Sequence, residues 1–119
     1  MTILTEANRT AEFLQSEANG YRSRGTQAFD STTNFAGAAI PAGLVYAIVG
    51  GAAVAFDGGA IDGSEVAAGI LYEAVEAGEV ADRAVVVRDA EASRYKLTYT
   101  GTDAQADASL ALLGIFVRD

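Results

Sequence analysis

The chain predicts a mainly β domain with one or two short helices, preceded by an extended N-terminal arm. Three observations carry that expectation. Leu44-Val45-Tyr46-Ala47-Ile48-Val49 is a short apolar run ended by Gly50-Gly51, the pattern of a buried strand running into a turn. Ala84 to Arg88 holds three successive valines, whose branched Cβ favours extended backbone. Only Asp103 to Leu113 carries a full helical signature. A chain of 119 residues is one domain's worth, and folding at this length buries roughly two thirds of the unfolded surface. With 13 Gly, 1 Pro and abundant Ala, the core is expected to be built from small and β-branched side chains.

Residues 1–25 read as the arm, polar except for Ile3, Leu4, Phe13 and Leu14, and residues 26–119 as a single domain. Gly25 to Asn34, rich in Thr, Ser, Gln and Asp, reads as a loop. Pro41-Ala42-Gly43 turns the chain after Ile40 and leads into Leu44 to Val49; Ala52 to Phe56 follows as a second short strand. Asp57-Gly58-Gly59 and Asp62-Gly63 are turn signatures. Val66 to Val75 is divided: Val66, Ile70 and Ala74 share a helical face, yet Gly69 inside a helix costs about 1 kcal/mol. Lys96-Leu97-Thr98-Tyr99-Thr100 alternates as a strand with one buried face does.

The helix is written more clearly. Thr102 with Gln105 three residues on fits a capping box, and Asp103 suits the positive helix end. Ala106, Leu110 and Leu113 fall on one face, Gly114 permits a left-handed cap, and Ile115 to Val117 returns as a terminal strand. No internal repeat or low-complexity tract interrupts this order.

Composition excludes several function classes. With 0 Cys and 0 His, disulfides are impossible, and zinc, haem and iron–sulfur ligation lack their usual ligands, so no cofactor is expected. The net charge is −8, and residues 57–91 hold −7 of it, nine acids against Arg83 and Arg88. Such a surface repels phosphate backbones, so no nucleic-acid partner is expected. Ser31 to Phe56 carries no charged residue and is long enough to span a bilayer. Gly37, Pro41, Gly43, Gly50 and Gly51 interrupt it, however, and core strands explain it better than a membrane span. Its N-terminal flank has no basic region or cleavage pattern, so no signal peptide is expected there.

Candidate chemistry fails motif by motif. Ser93-Arg94-Tyr95-Lys96 matches the Ser-x-x-Lys spacing of serine acylases, which needs the Ser at a helix start; here it runs into an alternating strand. Asp57, Asp62 and Glu65 miss the spacing of a calcium loop and are explained by turn chemistry. Glu73, Glu76 and Glu79 lack a neighbour that would raise one carboxyl's pKa for glycoside hydrolysis. Tyr95 and Tyr99 read as sheet residues rather than a base-stacking platform. A binding or structural protein, not an enzyme, is expected.

Glu12 to Arg24, EFLQSEANGYRSR, is the most informative stretch. Phe13 and Leu14 are an apolar anchor. Asn19-Gly20 readily takes positive φ, and Tyr21, Arg22 and Arg24 set an aromatic and two planar cations just past that turn. This wording resembles the head decoration proteins of tailed bacteriophages, the lambda-type family that cements capsids. The resemblance continues through Ala42-Gly43-Leu44-Val45, Gly69-Ile70-Leu71, Ala84 to Glu91 and Leu113 to Arg118, and departs from the family wording between Gly25 and Ala39. It implies a small β-barrel-like or β-clip-like domain, and it favours a strand around Gly69 to Tyr72. It further implies a homotrimer on the outer surface of the expanded head at three-fold sites. Its partner would be the major capsid protein, and its role to hold the shell against internal DNA pressure. Within that picture the capsid-binding residues are Ile3, Leu4, Phe13, Leu14, Asn19, Gly20, Tyr21, Arg22 and Arg24.

Two rivals come from other classes. A small monomeric β-domain binding module, adhesin-like and recognising a glycan or peptide, predicts a monomer with a concave aromatic site. A hydrolase predicts two acids facing each other across a cleft.

Overall fold

The computed structural model describes residues 14–17 and 24–118. The chain runs β1 (Leu14–Glu17), β2 (Arg24–Asp30), α1 (Ser31–Asn34), β3 (Val45–Val49), β4 (Ala52–Ala55), β5 (Gly69–Leu71), β6 (Val80–Val86), β7 (Ala90–Ser93), α2 (Asp103–Ala111) and β8 (Ile115–Arg118), with a 3-10 turn at Arg94–Lys96. Five strands form an antiparallel sheet in the order β2-β6-β5-β3-β4. Its two end strands, β2 and β4, approach each other, so the sheet curls toward closure. A second sheet has the order β1-β7-β8, with β1 antiparallel and β8 parallel to β7. The fold is mainly β, as the sequence predicts.

The continuous apolar run at Leu44 to Val49 has a physical reason: most of it is buried on both faces of the larger sheet. Val45, Ile70 and Val86 point into one cluster with Phe56, Ala90, Ala92, Ala106, Leu110 and Ile115, which joins the two sheets to α2. Their neighbours Leu44, Tyr46, Leu71 and Val85 point the other way, into a cluster with Phe29, Ile40 and Val75. Gly50 and Gly51 have φ of 61° and 83° between the paired Val49 and Ala52, as a two-residue hairpin turn requires. Gly69 pairs with Tyr46 in the sheet, and the position requires glycine because a Cβ there would lie 2.7 Å from the Val86 carbonyl oxygen.

Three expectations need correction. Gly25 to Asn34 is not a loop: β2 pairs with β6 from Arg24↔Val86 to Asp30↔Val80, and α1 follows, capped by the Asp30 carboxylate. The ladder hydrogen bonds and the burial of Phe29 stabilise β2, although its other side chains give no alternating apolar signal. Lys96 to Thr100 is not a regular strand. The 3-10 turn takes up Lys96, and Thr98 and Thr100 then make single parallel bridges to Leu44 and Asp57. The valine strand begins earlier than predicted, at Val80, and ends at Val86; Asp89, with φ of 50°, breaks the chain before β7.

Candidate functional site

Two of the sequence-predicted contact residues, Leu14 and Arg24, can be placed; Ile3, Leu4, Phe13, Asn19, Gly20, Tyr21 and Arg22 lie outside the described residues. Leu14 is half-buried, sits opposite Ala92 and packs against the cluster that joins the sheets. The strand it begins, β1, is polar (LQSE) and pairs on one side only among the described residues, so it forms the edge of the smaller sheet. An edge strand presents unpaired backbone N–H and C=O groups to any partner that can add a strand.

Arg24 opens β2 at the edge of the larger sheet. Opposite Val86, it faces the same cluster, and its guanidinium carbon lies 4.3 Å from the centroid of the Tyr72 ring. Its Nη2 also donates to the Tyr72 hydroxyl at 2.8 Å. Tyr72, just past β5, packs against the core, so an aromatic ring and an oxygen acceptor together hold the cation at the root of the strand. Glu17 is fixed opposite Ala90 and Arg24 opposite Val86. Both flanks of residues 18–23 are therefore tied to the β6–β7 segment, one in each sheet.

Several other charged groups serve local structure. Arg94 grips Asp107 through Nη1 and Nη2, at 3.1 and 2.7 Å, and Nη1 also donates to the Tyr99 hydroxyl at 3.2 Å. Tyr99 donates to Asp103 at 2.5 Å; desolvation, then that bond, raises its pKa. Asp57 accepts from the Gly59 N–H, Asp62 from the Ser64 N–H and hydroxyl, and Glu65 from the Gly63 N–H. The Ser64 hydroxyl holds the Asp62 carboxyl below its ordinary pKa. Turn chemistry thus occupies the acids that superficially suggest calcium, and no group of three or more potential ligands is placed to hold a metal ion among the described residues. Glu79 accepts from Arg83 at 2.9 Å and from the Glu76 N–H at 3.1 Å. Contrary to the alternating strand expected there, Ser93 closes β7 and caps the 3-10 turn Arg94–Lys96, so the Ser-x-x-Lys spacing spans one short 3-10 turn rather than the first turn of an α-helix. Among the described residues no helix is long and apolar enough to cross a membrane.

The surface also exposes large apolar groups that sequence reasoning does not single out, Ile61, Leu112 and Phe116, and Val66, which it sets on a candidate helical face with Ile70, is exposed as well. Tyr95, expected within a sheet, projects from the 3-10 turn and is 82% exposed. No sequence signal separates these from core positions, because their burial depends on which turn or strand end carries them.

No curated protein matches the chain. A family model described as bacteriophage lambda head decoration protein D matches residues 3–115, and the chain therefore belongs to this phage head decoration family of structural capsid proteins.

Proposed function

We propose that this chain binds the outer surface of the expanded phage head at three-fold sites as a homotrimer, contacts the major capsid protein and stabilises the shell against internal DNA pressure. The observation that carries this reading is the family match over residues 3–115, which spans both the N-terminal segment and the folded domain. A trimer with closed three-fold symmetry would match a three-fold position of the shell and saturate it in one binding event. Such a task needs area and complementary contacts rather than chemistry, in keeping with the commitment of Asp57, Asp62 and Glu65 to turns and of Glu79 and Asp107 to ion pairs.

Residues 1–25 are the proposed capsid-contacting arm and residues 26–119 the domain that carries it. Ile3, Leu4, Phe13, Asn19, Gly20, Tyr21 and Arg22 are the proposed contacts, with Leu14 and Arg24 seated on the domain at the arm's two roots. The position of β1 at a sheet edge among the described residues favours strand addition by a capsid segment, since an edge offers a backbone ladder without demanding an apolar surface. The test is to mix the purified chain with undecorated expanded shells and sediment them. Co-sedimentation that saturates at a multiple of three copies supports the reading. A chain that stays in the supernatant, or is monomeric both free and on the shell, overturns it.

A further inference from the structure

We infer that Tyr72 is a positioning residue for capsid binding, and that Arg24 acts through Tyr72 rather than by pairing with a capsid carboxylate. The inference rests on the capsid-binding reading above and assigns a division of labour within it. Arg24 is the point at which the chain enters β2 from the proposed contact segment, and its backbone is already fixed by pairing with Val86. Its side chain reaches past β6 to Tyr72, sets its guanidinium carbon 4.3 Å from the ring centroid and donates to the hydroxyl at 2.8 Å. Tyr72 is in turn held by the core cluster and by its own N–H, which donates to the Ala84 carbonyl at 2.9 Å.

A guanidinium placed in this way has its central carbon over the ring and one N–H on the phenol oxygen. Swinging out to a carboxylate on another protein would break both contacts, which are strongest where water is partly excluded. The more economical use of the pair is preorganisation. It holds Arg24 in place where the chain enters β2, so a partner meets a strand end that is already positioned.

The experiment measures shell affinity of the full chain for wild type, Arg24→Ala, Arg24→Lys, Tyr72→Phe, Tyr72→Leu and the double variant Arg24→Ala/Tyr72→Leu, with thermal unfolding recorded for each. Tyr72→Phe keeps the ring and removes only the acceptor, so it remains informative if Tyr72→Leu fails to fold. The expected result is a loss of about tenfold for Arg24→Ala and for Tyr72→Leu, with a smaller loss for Tyr72→Phe and only partial retention by Arg24→Lys. The double variant should bind about as well as either single one, because both remove the same interaction. A Tyr72→Phe or Tyr72→Leu chain that folds and binds like wild type, while Arg24→Ala does not, overturns the inference and makes Arg24 a direct contact. Losses that multiply in the double variant overturn it as well. Wild-type chain that fails to bind is distinguishable from both outcomes, because it overturns the capsid-binding reading itself before any variant is compared.

Discussion

Arg94 and Asp107 form a two-bond fork, Nη1 to Oδ1 at 3.1 Å and Nη2 to Oδ2 at 2.7 Å, that ties the 3-10 turn to α2. Geometry favours this pair over an ordinary surface contact, although the Asp107 side chain is 39% exposed and solvent screens it. Asp107→Ala is expected to lower stability by about 1 kcal/mol in urea unfolding, and Arg94→Lys by a similar amount, since an ammonium cannot reproduce the fork.

Gly69→Ala should destabilise more strongly. Its new methyl would meet the Val86 carbonyl oxygen at 2.7 Å and the Tyr46 hydroxyl at 3.0 Å, and the former is backbone in the neighbouring strand. An overpacking cost of about 1–3 kcal/mol is expected, read as a lower urea midpoint with unchanged slope.

Tyr46 gives a pH signature. It is 2% exposed, meets Phe29 edge to face with centroids 5.2 Å apart, and burial pushes its pKa up to about 12 from 10.0. The folded state therefore favours the neutral phenol. This contribution is fully present below pH 10 and is lost as pH rises through 10 toward 12, where the unfolded chain ionises first. The loss should be on the order of 2–3 kcal/mol, and Tyr46→Phe should remove this component of the alkaline decline. An alkaline profile identical in the variant would contradict it.

Thr102→Ala should cost about 1 kcal/mol. Thr102 Oγ1 accepts from the Gln105 N–H at 3.1 Å, and Gln105 Oε1 accepts from the Thr102 N–H at 2.9 Å. Thr102→Ser keeps the acceptor and should retain most of the stability in the same unfolding assay.

That capping box is legible from sequence alone, because both partners lie within four residues and the chemistry is local. So is the Gly50-Gly51 hairpin, whereas Val66 to Val75 reads both ways until the family resemblance favours a strand near Gly69. What stays illegible depends on distant partners. Thr26, Gln27 and Asp30 resemble a loop, yet β2 forms because β6 offers a full ladder to it. Ala90 and Ala92 alternate inward in β7, but alanine is a poor strand marker, so this element carries no strand signal of its own. Leu14 reads as part of a free arm because nothing in its neighbours announces pairing with Ala92, far along the chain. The candidate site divides in the same way. Tyr21 and Arg22 suggest gripping by residue type alone, whereas the seat of Arg24 on Tyr72 joins residues 48 apart and emerges only in the fold.

Capsid decoration is tested most directly by imaging undecorated expanded shells before and after saturation with this chain and taking the difference between the two maps. The account predicts added density on the outer surface, three copies around each three-fold position, with the N-terminal segment running toward the underlying capsid subunits. Density on the inner surface, single copies away from three-fold positions, or no added density at saturating concentration would contradict it.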